Sequence, residues 1–214
     1  MTPIQIIATI QGAISMPHTP LAIDGILAWA VWAQSGLPPV QVSGQLHPIE
    51  IPVQRSGCGR FHLASFAQFE VEQHENRWVN RRFPVPEAQM FGVDKFRRVN
   101  ITAGAQKSYR LPLDTVHLVV DMLTWWAVGD ADAIRDLLGV VHYLGKKRST
   151  GGGKVACWSV EECEPWEGFP VVRNGRPLRT LPHDWPGLDD PATAYATLTY
   201  PYWDHTREEL CAVI

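Results

Sequence analysis

Residues 130–161, with the sequence DADAIRDLLGVVHYLGKKRSTGGGKVACWSVE, carry three structural signals in a row. Apolar residues between positions 134 and 141 recur at the i, i+3, i+4, i+7 spacing of a single helix face, and an aspartate suited to N-capping precedes them. We therefore predict an amphipathic helix over residues 130–143, ended by Gly145 in the left-handed conformation that closes many helices. A basic, glycine-rich loop separates this helix from a strand predicted over residues 155–161.

The elements on either side of this stretch follow from the same rules of spacing. Short β-branched runs bounded by proline or glycine predict strands, and helical spacing predicts one further helix. Between residues 116 and 128, the mixture of β-branched residues with tryptophan favours strand over helix. In chain order the predictions are a strand over 4–10, a helix over 23–36, a β-hairpin of 49–54 with 61–72, a strand over 116–128 and a strand over 195–202.

The order of these elements indicates an α+β fold class. A strand, a helix, two strands, a strand, a helix and a strand in succession match a ferredoxin-like (RRM-like) core, with the sheet on one face and the helices on the other. We predict a single domain over residues 1–214, with an insertion at 77–110 after the hairpin and a Trp-rich C-terminal extension at 161–214. Within the insertion, residues 95–101 and 107–113 are predicted to pair as one extended ribbon.

The distribution of charge is more informative than its sum. The net charge is −3, which by itself argues against a non-specific nucleic-acid binder. However, residues 77–110 hold eight basic and two acidic side chains, and residues 145–154 hold four basic and no acidic ones. Residues 161–209 hold ten acidic side chains. This asymmetry predicts one face suited to phosphates and another face suited to other partners.

Several classes of protein are excluded by what the sequence lacks. No apolar run reaches the roughly 20 residues that span a bilayer, and the first residues lack the pattern of a secretory signal. We therefore expect a cytoplasmic protein without membrane contact. The four cysteines form no CxxC pair and the eight histidines form no HExxH motif, so neither a metal site nor a cofactor is predicted.

The basic glycine-rich loop is the most specific chemical feature of the sequence. Glycines allow close approach of the backbone to a phosphate, cations supply charge, and hydroxyl groups donate hydrogen bonds. A nucleotide-binding P-loop needs a strand before the loop and a helix after it, and here the order is reversed. A solvated loop without a ligand is the remaining alternative. The predicted phosphate-binding residues are Gly145, Lys146, Lys147, Arg148, Ser149, Thr150, Gly151, Gly152, Gly153 and Lys154.

The insertion alternates cations with aromatic residues. Single-stranded RNA is bound by such a mixture, because unstacked bases lie on aromatic rings while cations meet phosphates. For Phe96 and Tyr109, which flank predicted strands, anchoring of the insertion to the core is at least as good an interpretation. The residues predicted to contact RNA here are Arg77, Trp78, Arg81, Arg82, Phe91, Lys95, Arg97, Arg98, Lys107 and Arg110.

Two of these features together resemble a known group of proteins. The segment PLAIDGILAWA at residues 20–30 and the basic glycine-rich loop after the second helix resemble the RAMP superfamily of CRISPR-associated proteins. More narrowly, they resemble the Cas-five-family subunit of type IV CRISPR effector complexes, which holds the 5′ handle of the guide RNA. The resemblance covers residues 1–36 and 115–160 best.

The resemblance implies a fold, a function and partners. It implies a ferredoxin-like RAMP core, a basic thumb hairpin at residues 77–110 and a glycine-rich loop that touches RNA. It also implies a ribonucleoprotein in antiviral defence, in which the chain binds the guide RNA (crRNA) and adjoins a repeated backbone subunit and a large subunit. Contact of the thumb with target DNA beside the protospacer-adjacent motif stays open.

Catalysis is the main question that the resemblance leaves open. Some relatives cut the guide-RNA precursor with a histidine, tyrosine or lysine, and His18 has the pKa range that suits a general acid or base. A lone histidine in the turn MPHTP is more often structural or exposed, so we predict a non-catalytic subunit. The alternatives are a metal-independent endoribonuclease that uses His18, and a protein-interaction scaffold without RNA affinity.

Overall fold

The computed structural model describes residues 1–16, 21–36, 49–75, 78–81, 109–112, 117–146, 148 and 151–214. Its helices are α1 (Ile23–Ser35) and α2 (Ala131–Leu138), with a 3-10 turn at His205–Arg207. Its strands are β1 (Thr2–Gln11), β2 (Ala13–Ser15), β3 (Gln73–Glu75), β4 (Trp78–Arg81), β5 (Tyr109–Pro112), β6 (His117–Val119), β7 (Met122–Gly129), β8 (Lys154–Glu162), β9 (Val172–Arg173), β10 (Arg176–Pro177), β11 (Leu181–Pro182), β12 (Thr193–Ala196) and β13 (Glu209–Ala212).

The described part has a mixed α/β fold with a central antiparallel sheet in the order β7-β1-β8. Alternate residues of β1, from Ile4 to Ile10, are buried, which is the period of two expected for a strand with one face on the core. Helices α1 and α2 lie side by side and contribute Leu27, Ile134 and Leu138 to the same apolar cluster. The predicted first strand and first helix are therefore confirmed.

The predicted hairpin of residues 49–54 and 61–72 is only partly correct. Its turn forms, since Ser56 N–H donates to the Phe61 carbonyl at 2.8 Å and Gly59 has a φ of +72°. The two arms are not regular strands, because both divide their hydrogen bonds between each other and β7. Isolated bridges join β7 to Val53, Ala64 and Gln68. The extended segment that contains Val53, Ala64 and Gln68 therefore lies antiparallel beside β7, at the edge of the central sheet.

The predicted strand over residues 116–128 is confirmed in type but is divided at Asp121 into β6 and β7. β7 belongs to the central sheet, whereas β6 lies between β2 and β3 in a second antiparallel sheet. In the insertion, β5 pairs with β4 in an antiparallel ribbon. The predicted partner of this arm, residues 95–101, lies outside the described residues.

The helix predicted over residues 130–143 begins as expected and ends early. The Asp130 side chain accepts hydrogen bonds from the N–H groups of Asp132 and Ala133, both at 3.1 Å. The helix ends at Leu138 with tighter turns, in which Val140 and Val141 N–H donate to the carbonyls three residues back, and beyond them the His142 carbonyl accepts from Val155 N–H at 2.9 Å. Gly145 has the predicted left-handed conformation, with a φ of +78°, but it lies in the loop and does not cap the helix.

The C-terminal part forms a hairpin of β9 and β10 and a sheet in the order β11-β13-β12. The strand predicted over residues 195–202 is wrong in its bounds, because β12 covers Thr193–Ala196. A second apolar cluster joins this part to the segment before β7, since it includes Phe61 together with Val171, Leu181 and Leu198. The description of the chain as one domain with a C-terminal extension at residues 161–214 stays a prediction.

A buried arginine connects this part to the first helix. The Arg179 side chain is fully buried and donates to the carbonyls of His62 at 2.6 Å and Ala64 at 3.1 Å. Its Nη1 also lies 3.5 Å from the buried carboxylate of Asp24 on α1. The Tyr202 hydroxyl lies 2.8 Å from both oxygens of that carboxylate. The C-terminal part is thereby fixed against α1.

Candidate nucleic-acid interface

The basic glycine-rich loop is anchored at both ends on the short strand β2. Lys146 N–H donates to the Ser15 carbonyl at 2.7 Å, and Gly153 N–H donates to the Ala13 carbonyl at 2.9 Å. The base of the loop is closed by Leu144 N–H, which donates to the Gly153 carbonyl at 2.8 Å. These bonds fix where the loop leaves the sheet and where it returns.

Two of the loop glycines are required by this anchoring. A Cβ atom on Gly145 would lie 2.4 Å from the Ser15 carbonyl oxygen, and one on Gly153 would lie 2.0 Å from the Leu144 carbonyl oxygen. Both residues also have φ in the left-handed region, at +78° and +69°. A Cβ on Gly151 would meet nothing within 4 Å, although its φ of +82° is also left-handed. The tight packing thus gives Gly145 and Gly153 a structural reason to be glycine, and their predicted contact with phosphate stays a prediction.

Three of the loop N–H groups already donate hydrogen bonds within the protein. Lys146 and Gly153 donate to β2, and Gly151 N–H donates to the Arg148 carbonyl at 3.0 Å. In this conformation these three N–H groups cannot donate to a phosphate. Among the described residues of the loop, the exposed side chains of Lys146, Arg148 and Lys154 are the cationic groups that can meet an anion.

These three cations lie at one end of the central sheet. Lys154 begins β8, where it pairs with Gln11 of β1 and bridges Tyr143, and Lys146 bridges Ser15. Within the part of the chain that the structure describes, no carboxylate lies within 4.0 Å of their charged groups. Gly152 is buried. Lys147, Ser149 and Thr150 lie outside the described residues.

The root of the basic insertion lies on the other side of β2. β6 pairs with β2 through Leu118 opposite Ile14, and β3 pairs with β6. The insertion begins after β3 and ends before β6, so β2 separates its root from the glycine loop. Two strand spacings amount to about 10 Å. The two basic segments predicted to share a face thus start from neighbouring positions.

The remaining predicted residues divide into two groups. Trp78, Arg81 and Arg110 lie on the ribbon of β4 and β5, where Arg110 pairs with Asn80. The residues outside the described ranges are Arg77, Arg82, Phe91, Lys95, Arg97, Arg98, Lys107 and His18.

Sequence reasoning missed a cavity beside the loop. It has a volume of about 310 Å³ and lies between one face of α1 and the chain that leads into the loop. Ala22, Gly25, Ile26 and Trp29 have the i, i+3, i+4, i+7 spacing of a single helix face and form one wall. The opposite wall includes Tyr143, Gly145, Arg148 and Tyr202. The helical spacing of the first group was visible in the sequence, but the opposite wall was not.

The mouth of this cavity is aromatic and basic. Trp29 is 40% exposed and Tyr143 is 39% exposed. The guanidinium carbon of Arg148 lies 6.0 Å from the centroid of the Trp29 ring. An exposed aromatic pair beside an exposed arginine can stack on a flat ring and bind an anion at the same place.

The polar side chains of Asp24, His62, Tyr200 and Tyr202 form a group at the inner wall of the cavity. Burial raises the pKa of Tyr202 well above its usual value, so its hydroxyl stays protonated next to Asp24. Burial raises the pKa of Tyr200 to about 12. Burial lowers the pKa of His62, although Asp24, 3.9 Å from its Nδ1, opposes this shift. His62 and Asp24 are each 1% exposed, so this group cannot touch a substrate in this conformation and has a structural role.

Comparison with known proteins identifies the family of the chain. The family model of the CRISPR type IV associated protein Csf3 matches residues 94–214, which is more than half of the chain. The chain belongs to the Csf3 family. Association with type IV CRISPR systems, predicted from the resemblance, is thereby confirmed, and the chain is a subunit of a type IV CRISPR complex. A search of curated proteins finds no match.

The Csf3 match is distributed unevenly over the features described above. It includes the glycine-rich loop, Tyr143 and Tyr202. It also includes the Trp-rich C-terminal part, most of which lies beyond the residues that carry the resemblance. The face of α1 that carries Trp29 lies before the matched range.

The described ranges contain neither a cluster of metal ligands nor a helix that could span a membrane. No three histidine, cysteine or carboxylate side chains in these ranges are grouped so that they could hold a metal ion. None of the helices in these ranges combines the length and the apolar character needed to cross a membrane.

Proposed function

We propose that this chain is the non-catalytic subunit that binds the 5′ handle of the guide RNA in a type IV CRISPR effector and caps its filament of backbone subunits. The observation that carries the proposal is the shared strand β2, which holds the glycine-rich loop on one side and the root of the basic insertion on the other. An RNA strand that lies across β2 would meet cations from both segments. The guide RNA, the repeated backbone subunit and the large subunit are the proposed partners.

The arrangement of the central sheet supports the RAMP part of this proposal. The extended segment before β7, then β7, β1 and β8 lie side by side in that order, and every neighbouring pair is antiparallel. Helix α1 follows β1, and α2 connects β7 to β8. This is the order of a ferredoxin-like βαββαβ core, in which the extended segment takes the place of the second strand.

The state of the loop cations supports RNA binding. Lys146, Arg148 and Lys154 are exposed and have no carboxylate partner among the described residues. Phosphates would neutralise these cations while releasing counterions. The aromatic rings at the cavity mouth lie beside one of these cations, Arg148.

Binding of a fluorescein-labelled repeat RNA, followed by anisotropy at several salt concentrations, tests this function. For single-stranded RNA each phosphate contact contributes about 0.7 to the slope of log K against log salt. The variant Lys146→Ala/Arg148→Ala/Lys154→Ala should therefore bind more weakly and reduce the slope by about 2. Equal affinity and slope for this variant and the natural chain would contradict the proposed role of the loop.

A matched control variant removes three positive charges far from the glycine-rich loop. Arg55 and Arg60 lie in the turn beyond the Thr2 end of β1, and Arg176 is exposed on β10. Along β1 the turn is about 30 Å from Lys154. The variant Arg55→Ala/Arg60→Ala/Arg176→Ala should leave the salt slope nearly unchanged.

The non-catalytic assignment has its own test. Incubation of the protein with repeat RNA and a chelator should give no cleavage product. Cleavage that is lost on replacing His18 with alanine would instead show a metal-independent endoribonuclease.

A further inference from the structure

The cavity beside the glycine loop has the dimensions and lining of a small-ligand site. Its volume of about 310 Å³ is at the lower end of the roughly 300–1,000 Å³ of such sites. Its floor lies at Gly25, where the helix has no side chain to fill the space. A Cβ atom there would lie 3.6 Å from the Tyr202 ring, which is ordinary contact. The space thus follows from the choice of glycine on a helix face that otherwise carries larger residues.

The two aromatic rings at the mouth are exposed at a cost. Each Å² of apolar surface left in water costs about 25 cal/mol compared with burial. Trp29 and Tyr143 retain 40% and 39% of their surface in solvent, while Trp125 on β7 is fully buried. Exposed rings on both sides of a cavity are typical of surfaces that a ligand covers.

We propose that this cavity holds a single unstacked nucleobase of the bound RNA, with the base stacked on Trp29 or Tyr143 and its phosphate on Arg148 and Lys146. This inference rests on the proposed function, because it assumes that the neighbouring cations bind RNA. The volume is sufficient for one base. A purine should bind more tightly than a pyrimidine, because it covers more of the aromatic surface.

The lining also indicates how selective the pocket is. Apart from Arg148 and the tyrosine hydroxyls, the side chains around it are apolar, and the Tyr202 hydroxyl is already engaged by Asp24. Stacking on such a surface tolerates every base, since every base has a π face. The pocket therefore contributes affinity rather than a strict reading of sequence. A protein side chain as the occupant would not require the adjacent unpaired cations, so a nucleobase is favoured.

The test measures the contribution of the bases to binding separately from that of the phosphates. Two fluorescein-labelled decamers are compared by anisotropy: oligoadenylate, and a decamer with an abasic ribose spacer at every position. Both carry the same phosphates, so binding of the spacer decamer measures the phosphate grip alone. Trp29→Ala should weaken oligoadenylate binding by about 5- to 150-fold, the range of one base stacked on an aromatic ring. It should change binding of the spacer decamer by less than about twofold, because the loop cations are intact.

Further variants provide the controls. Trp29→Phe keeps a ring and should recover most of the oligoadenylate affinity. Tyr195 on β12 is 73% exposed and does not line the cavity, so Tyr195→Ala removes a more exposed ring elsewhere and should have no effect on either decamer. Circular dichroism melts show whether each variant is folded.

The possible failures are distinguishable. If the natural chain binds both decamers equally, or if Trp29→Ala weakens both decamers equally, the nucleobase pocket is wrong while the phosphate grip stands. If the natural chain binds neither the decamers nor repeat RNA, the proposed function itself is wrong. If Trp29→Ala leaves both decamers unaffected and instead weakens assembly with a backbone subunit, the cavity binds protein and the inference is overturned.

Discussion

Replacing Arg179 with methionine removes the side chain that joins the C-terminal part to α1. Arg179 is fully buried and donates to the carbonyls of His62, Ala64, Leu198 and Thr180. It also neutralises the carboxylate of Asp24, which is 1% exposed. The substitution leaves that charge buried with the Tyr202 hydroxyl and the Gly25 N–H as its hydrogen-bond donors and without its cationic partner.

The expected magnitude follows from this arrangement. Removing one partner of a buried ion pair costs about 3–5 kcal/mol, because an uncompensated charge stays buried. For a chain of this size, each kcal/mol lowers the melting temperature by about 2–4 °C, so the predicted decrease is about 6–20 °C. The double variant Arg179→Met/Asp24→Asn should recover part of this loss, because the buried charge is removed as well.

Thermal and urea denaturation followed by circular dichroism measure these effects. Arg207→Ala is the control, because Arg207 is exposed and its ion pair with Asp204 is worth about 1 kcal/mol or less. A loss below about 1 kcal/mol for Arg179→Met would refute the reasoning. So would a double variant that is less stable than the single one.

Three further predictions concern the loop, the helix and pH. Gly153→Ala should destabilise the chain by more than about 2 kcal/mol, because its Cβ would overlap the Leu144 carbonyl. Gly151→Ala meets no neighbour and should cost only about 1–2 kcal/mol, for its left-handed backbone. Urea denaturation measures both losses of stability. Gly25→Ala should stabilise α1 by about 0.5–1 kcal/mol in the same assay and narrow the cavity floor, so that oligoadenylate binding weakens while spacer-decamer binding does not. Burial lowers the pKa of His62 below that of the unfolded chain, so its contribution to stability is present above about pH 6.5 and is lost as the pH falls through the lower folded pKa. Unfolding free energies at pH 7.5 and 5.5 should show this loss, and His62→Phe should reduce it.

Features that depend on neighbouring residues in sequence were predictable. Asp130 caps α2 through the N–H groups two and three residues ahead of it, and this signal is contained in the local sequence. The β-branched and tryptophan content of residues 122–129 was sufficient to indicate a strand. The predicted end of α2 was wrong because the chain tightens into i−3 turns after Gly139 and then binds Val155 through His142, and periodicity carries no information on these long-range bonds.

The candidate site was predictable in its charges and not in its shape. The loop cations were identified from composition, and three of them are exposed and unpaired among the described residues. The cavity was missed because Tyr202 reaches α1 from 178 positions away, where it meets Asp24. The packing role of Gly145 and Gly153 was not predictable, because the carbonyls that exclude a side chain belong to Ser15 and Leu144, and only the folded chain brings these groups together.

The central place of β1 has a consequence for how the protein is made. Both neighbours of this strand, β7 and β8, are synthesised more than a hundred residues later, and β8 ends at Glu162. At roughly 5–20 residues per second, the ribosome needs about 8–30 s to produce the last of these partners. During that interval the isoleucines of β1 lack the sheet that buries them, so the nascent chain depends on chaperones or on rapid completion of translation to escape aggregation.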